Sequence, residues 1–273
     1  MAPDGDTGFG TARSGAAVWC RNVSKVFDAG GDPVPAVGPL DVDIAAGTTT
    51  ALVGPSGCGK STLLRMIAGL EIPTDGDIRI GTETPTELTA RAGLAMAFQD
   101  ASLLPWRTVR GNVALALTLA RRPADPDRID ALLDLVGLAG FGDRRPGELS
   151  GGMRQRAAIA RCLVGDPGLL LLDEPFGAVD ELTRRRLGRD LAALWHGRTT
   201  LLVTHSVTEA ALIADRILVL SPRPGIVVAD IAVPQGAGRD GPRDETAPDI
   251  RACIEAVTDA LAASAPDRLR AAQ

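Results

Sequence analysis

Thr49-Thr50-Ala51-Leu52-Val53 is a short run of strand-forming residues, and Gly54-Pro55-Ser56-Gly57-Cys58-Gly59-Lys60-Ser61 follows it directly. The second stretch fits the pattern G-x-x-x-x-G-K-[ST], and the chain from Lys60 to about Leu70 reads as a helix. A buried strand, a glycine loop and a helix in that order make a cradle for phosphate. Glycines let backbone N–H groups converge on phosphate oxygens, and the helix N-terminus adds the positive end of its dipole. In such a loop Lys60 reaches the outer phosphates of ATP, Ser61 offers its hydroxyl to Mg²⁺, and Thr62 adds a phosphate contact. Gly54, Pro55, Ser56, Gly57, Cys58 and Gly59 complete the expected nucleotide-binding set.

A second decisive stretch is Leu169-Leu170-Leu171-Leu172-Asp173-Glu174. Four apolar residues in succession suit a parallel strand covered on both faces. Acids at the C-terminal end of such a strand stand where open α/β sheets bind ligands. Asp173 is the expected holder of Mg²⁺, and Glu174 the group that polarises the attacking water.

Outward from these two stretches the pattern is that of one α/β domain. Val18–Phe27 and Val37–Ile44 read as strands joined by a turn-rich segment, followed by shorter strand signals at Ile78–Ile80 and Leu94–Phe98. From about Ser102 to Arg161 the period becomes helical, with Ile129, Leu132, Leu133 and Val136 in register, which predicts an inserted helical subdomain. Strand signals return at Leu201–Val203, Ile217–Leu220 and Ile226–Val233. Residues 1–16 are expected to be disordered, and 236–273 to form a polar linker and a terminal helix over Ile250–Ala262.

Composition narrows the class. The chain has 273 residues and a net charge of -5, so it lacks the basic surplus of a nucleic-acid binder. Arg184, Arg185 and Arg186 read as a solvated helix face. Cys20, Cys58, Cys162 and Cys253 are scattered without metal-ligand spacing, which suits a reducing compartment. No leader and no apolar run of membrane-spanning length is visible. A role at a membrane therefore requires docking on another chain.

Leu149-Ser150-Gly151-Gly152-Met153-Arg154-Gln155-Arg156, lying between the two stretches above, resembles the signature motif of the ATP-binding cassette (ABC) family. The family's other landmarks follow in order. Gln99 resembles the Q-loop glutamine, Gly177-Ala178-Val179-Asp180 the D-loop, and His205 the switch histidine. Phe27 stands where the family places an adenine-stacking aromatic, usually a Tyr; this chain has none. Ser206 replaces the Asp common after the switch histidine, which leaves a local hydrogen bond open. The other histidine, His196, reads as structural.

The resemblance spans about residues 17–235 and implies a P-loop NTPase fold. That fold has a RecA-like mixed sheet, an antiparallel β subdomain and a helical subdomain over about 102–161. It implies an ATPase that works as a pair of cassettes, each ATP lying on one P-loop and capped by the other subunit's Ser150, Gly151 and Gly152. Glu174, His205 and Gln99 become the catalytic residues, Ser61, Gln99 and Asp173 the Mg²⁺ ligands, and Asp180 a link between the two sites.

Three stretches resemble the nitrate/sulfonate/taurine importer group: Phe98-Gln99-Asp100 with Leu103-Leu104-Pro105-Trp106, Gly111-Asn112-Val113, and Ser221-Pro222-Arg223-Pro224-Gly225. For such a subunit the expected partners are a second, identical cassette and transmembrane permease subunits. An extracytoplasmic solute-binding protein takes part indirectly. The expected location is the cytoplasmic face of the membrane, with Leu103–Trp106 as an apolar socket for the permease. The alternative is a soluble ABC ATPase with no role in transport. Intact Glu174 and His205 speak for turnover in either case.

Overall fold

The computed structural model describes residues 15–28, 30–179, 197–234 and 243–264. The sequence expectations for residues 1–14, Asp180, Arg184–Arg186, His196 and 235–242 lie outside them. Two sheets form the frame. The smaller has the order β2-β1-β4, from β1 (Val18–Asp28), β2 (Pro33–Ile44) and β4 (Asp75–Ile80). The larger has the order β5-β6-β7-β3-β8-β9, from β3 (Thr49–Val53), β5 (Leu94–Ala97), β6 (Leu169–Asp173), β7 (Thr199–Val203), β8 (Arg216–Leu220) and β9 (Val227–Ala232). All its neighbours pair parallel except β8 and β9. β1 pairs antiparallel with both β2 and β4.

The leucine run of β6 explains its lack of alternation. Leu170 and Leu172 face a core shared with the helices α3 (Val109–Leu119), α4 (Pro126–Leu135) and α5 (Gly151–Val164). Leu169 and Leu171 face the opposite core, with α1 (Lys60–Ile67) and the inner residues of β1 and β2. Each leucine taken from water on either side contributes roughly 1.5–3 kcal/mol. A polar residue on either face of β6 would forfeit that term. A third core lies under α6 (Val207–Ile213) and α7 (Pro248–Ser264), which cover Val53, Ile217 and Val219. Arg243 holds the tail in place by donating to the Ala214 carbonyl and Asp215.

Several boundaries differ from the sequence expectation. The turn-rich segment before Val37 already pairs as strand, since Pro33 and Val34 lie opposite Asp28 and Phe27. α1 ends at Ile67, because Gly69 turns the chain and its N–H bonds the Met66 carbonyl at 3.0 Å. Gly15 and Ala16 are held against the sheet, the Ala16 carbonyl accepting from Thr199 Oγ1 at 2.8 Å. Helix α2 (Pro85–Ala90) is additional. Its signal was a capping box, with Thr84 Oγ1 accepting from Glu87 N and the Glu87 carboxylate accepting from Thr84 N.

The loop ahead of α3 is fixed by one buried side chain. Asn112 is 0% exposed. Its Oδ1 accepts from Leu104 N at 2.7 Å, and its Nδ2 donates to the carbonyls of Leu104, Arg107 and Thr108. This amide clasps the loop that carries Trp106, which is 69% exposed. Asn112→Ala removes all four bonds; the carbonyls of Leu104 and Thr108 keep the N–H groups of Arg107 and Asn112, so the loss falls mainly on Leu104 N, at a cost of about 1–3 kcal/mol. Urea denaturation should report a loss of at least that size; a wild-type midpoint would contradict the clasp.

Candidate nucleotide site

The glycine loop sits between β3 and α1, at the C-terminal edge of the large sheet. Gly59 caps α1 with φ +104°, a conformation that L side chains resist. A Cβ there would also lie 2.5 Å from the Ala36 carbonyl of β2. Glycine is therefore required by both torsion and space, and the loop is pressed against the neighbouring subdomain. Lys60 is nearly buried and donates from Nζ to the carbonyls of Gly54 at 2.7 Å and Pro55 at 2.9 Å.

A cleft of about 260 Å³ opens over this loop. Ser56, Gly57, Gly59, Lys60, Ser61 and Thr62 form its floor. Phe27, Val34 and Ala36 form an apolar wall, and Gln99, Glu174 and Arg223 reach in from other segments. Phe27 is 38% exposed, and the ring is of a kind that stacks on a planar base. Lys25 Nζ stands 4.9 Å from the ring centroid, held by Glu71 and the Ile72 carbonyl. Val34, Ala36 and Arg223 are the cleft residues that the sequence reading did not assign to the nucleotide, and Arg223 is the charged one among them.

Beside the loop, Ser61 Oγ donates to Asp173 Oδ1 at 2.9 Å, which joins the helix after β3 to the end of β6. Asp173 is 2% exposed, and burial raises its pKa. The Ser61 hydrogen bond acts in the other direction, while the Glu174 charge adds to the rise. Glu174 adopts the left-handed region at φ +46°, a strained choice for a glutamate. Its N–H bonds the Val203 carbonyl at 2.9 Å and its carbonyl accepts from Gly177 N. The turn brings Glu174 Oε2 within 3.3 Å of Gln99 Nε2 and 3.5 Å of His205 Nδ1.

Thus Lys60, Ser61, Asp173, Glu174, Gln99 and His205, scattered along the chain, converge at one edge of the sheet. A hydroxyl beside a buried carboxylate is an oxygen donor set suited to Mg²⁺. Ser206, which departs from the family pattern, caps α6 instead, its Oγ accepting from Glu209 N at 3.2 Å.

The signature segment stands apart from this cleft. Ser150 caps α5, its Oγ accepting from Met153 N at 3.3 Å. A Cβ on Gly152 would come within 3.1 Å of the Ala178 carbonyl, so the segment rests on the D-loop backbone of its own chain. Further along α5, Gln155 donates to the Phe98 carbonyl, and Arg161 to those of Ala101 and Ser102. The helix that begins at the signature motif therefore grips the segment around Gln99. Ser150, Gly151 and Gly152 do not line the cleft. Asp180 lies outside the described residues.

Comparisons with known proteins agree with this arrangement. The family model described as ABC transporter matches residues 37–177, more than half the chain. The chain is 43% identical to a taurine import ATP-binding protein of Roseobacter denitrificans, covering 78% of this chain and 81% of the relative. It is 48% identical to the protein of that name from Mesorhizobium japonicum, covering 72% and 78%. Among solved structures, the dimeric structure of a bacterial ABC transporter cassette superposes with a TM-score of 0.74 at 32% identity. It covers 80% of this chain and 99% of that one. A post-hydrolysis state of such a cassette, bound to ADP and phosphate, matches equally well, at 0.74 and 31%. With the P-loop and the Asp173–Glu174 strand end in one cleft, the chain belongs to the ABC transporter family, as one of its ATP-binding, ATP-hydrolysing subunits.

Proposed function

We propose that this subunit powers import of taurine or a closely related small sulfonate, acting as one of two identical cassettes beneath a permease. The observation that carries the catalytic part is the convergence of Gln99 and His205 on one oxygen of Glu174, beside the Ser61–Asp173 pair. The solute class is supported by the names of the relatives. The exposed Trp106 loop, clasped by Asn112, supports docking on the permease. The same reading puts the chain at the cytoplasmic face. Among the described residues no helix is long and apolar enough to cross a membrane, so attachment falls to partner chains.

The residues divide the work as follows. Phe27 stacks on the adenine, and the P-loop N–H groups and Lys60 hold the phosphates. Ser61 and Asp173, with Gln99 near, hold Mg²⁺, which offsets phosphate charge when bound with the nucleotide. Oε2 of Glu174 takes the contacts from Gln99 and His205, which leaves Oε1 to accept a proton from the attacking water. Ser150, Gly151 and Gly152 cap the γ-phosphate of the ATP on the second cassette. The first-turn N–H groups of α5 remain for that task, because the Ser150 side chain satisfies only Met153 N. Asp180 is assigned to the contact between the two sites.

The transport assignment is checked in vesicles holding the chain, its permease and the cognate solute-binding protein. Taurine should stimulate phosphate release and be taken up with ATP present. Stimulation by an unrelated solute, with no response to taurine or other sulfonates, would overturn it.

Two substitutions test the site. Burial lifts the Asp173 pKa above its unfolded value, so the folded state holds the proton more tightly. The ionised carboxylate therefore destabilises the nucleotide-free fold at neutral pH, and that cost disappears as pH falls through the raised pKa. Asp173→Asn should raise the neutral-pH melting temperature while abolishing Mg²⁺-dependent hydrolysis; a lowered midpoint would refute the account of burial. Glu174→Gln keeps size and one acceptor but loses the carboxylate. Turnover should fall roughly 10²–10⁴-fold with ATP binding retained, and light scattering should detect an ATP-dependent dimer that ADP does not support. Wild-type hydrolysis in that variant would remove Glu174 from the catalytic role.

A further inference from the structure

Ser221-Pro222-Arg223-Pro224-Gly225 joins β8 to β9, and its backbone is wedged between the two walls of the nucleotide cleft. On one side Gly225 approaches the P-loop so closely that a Cβ would stand 2.0 Å from the Cys58 carbonyl. On the other it is bonded into β2, its N–H donating to the Ala36 carbonyl at 3.3 Å and its carbonyl accepting from Gly38 N at 3.0 Å. Ser221 closes the loop on itself, its Oγ accepting from Ile226 N and donating to the Pro224 carbonyl. Arg223 thus projects from a platform fixed to both the P-loop and the Phe27-bearing subdomain.

From that platform Arg223 Nε donates to the Gly57 carbonyl at 3.1 Å, and the side chain lines the cleft. Only Lys60, Glu174 and Arg223 among the cleft residues carry a formal charge. The Lys60 ammonium is nearly buried beneath the loop, whereas Arg223 is exposed at its rim. A single hydrogen bond from an exposed arginine adds little to stability, since ordering so long a side chain offsets it. The arrangement gains its value when a polyanion enters. One N–H keeps Gly57 in place, and the other guanidinium donors remain for phosphate oxygens.

We infer that Arg223 is a positioning residue of the nucleotide site, bracing the P-loop at Gly57 and adding a second positive charge to the bound polyphosphate. The inference rests on the reading of this cleft as the nucleotide site. It makes the Ser221–Gly225 loop part of the binding machinery, a role that none of the P-loop, signature or switch residues covers.

The test uses the full chain with Mg²⁺ and either ADP, for titration calorimetry at low and high salt, or ATP, for steady-state hydrolysis. Arg223→Gln should weaken ADP binding and raise KM for ATP about tenfold, the scale of one charge-assisted hydrogen bond, with kcat within about twofold of wild type. The salt dependence of ADP affinity should become shallower, because one screened charge is gone. Arg223→Lys, which keeps the charge, should restore that salt dependence and part of the affinity. Wild-type affinity and salt response in Arg223→Gln would overturn the inference. So would equal losses in both variants accompanied by lower melting temperatures, which would make Arg223 a packing residue only. Lys60→Ala serves as the control. If it too binds ADP normally, the reading of the cleft has failed; if it alone loses binding, only the role of Arg223 has.

Discussion

The hydrogen bond between Ser61 and Asp173 joins the two halves of the site, and its cost explains much of what surrounds it. Asp173 is a carboxylate almost wholly withdrawn from water at the end of a leucine strand. Such a group is unfavourable unless positive charge or hydrogen bonds answer it. Here the hydroxyl of Ser61 is one answer, and the Arg65 and Lys60 charges lower the carboxyl's pKa as well. The two cores on either face of β6 hold the carboxylate where it would not otherwise rest. Stability gathered along Leu169–Leu172 thus offsets strain kept at Asp173 and Glu174, where chemistry needs it.

The same logic explains what the sequence made legible. A strand buried on both faces cannot alternate, so Leu169–Leu172 and Thr49–Val53 stood out as continuous runs. The P-loop spacing is imposed by backbone geometry, as the close approach of Gly59 to Ala36 illustrates, so it was readable residue by residue. The β2 edge near Pro33 was not readable, because its pairing depends on the register with Phe27 and Asp28 across the hairpin. α2 is too short for a periodic signal, and only its capping box could have revealed it. Arg223 was missed for a different reason. The loop that carries it follows the P-loop by well over a hundred residues, and nothing local announces that Gly225 lies against Cys58.

Departures from the family pattern are absorbed locally. Without any Tyr, the chain presents Phe27, with the Lys25 ammonium over its ring. Ser206 keeps the start of α6 satisfied where an Asp is common. His205 Nδ1 stays within 3.5 Å of Glu174 Oε2.

Helix α5 has a mechanical consequence. Its first turn belongs to the signature segment, while Gln155 and Arg161 hold three successive carbonyl-bearing stretches around Gln99, at Phe98, Ala101 and Ser102. A helix of 14 residues is a stiff rod about 21 Å long. Displacement of its leading end would carry the Gln99 segment with it through these side-chain-to-backbone bonds. The adjoining loop at Leu104 is tied to Asn112 of α3, so it follows as a tethered arm carrying Trp106. On the proposed capping of nucleotide by Ser150, such a crank would leave little lost motion between the signature end of α5 and the loop that carries Trp106.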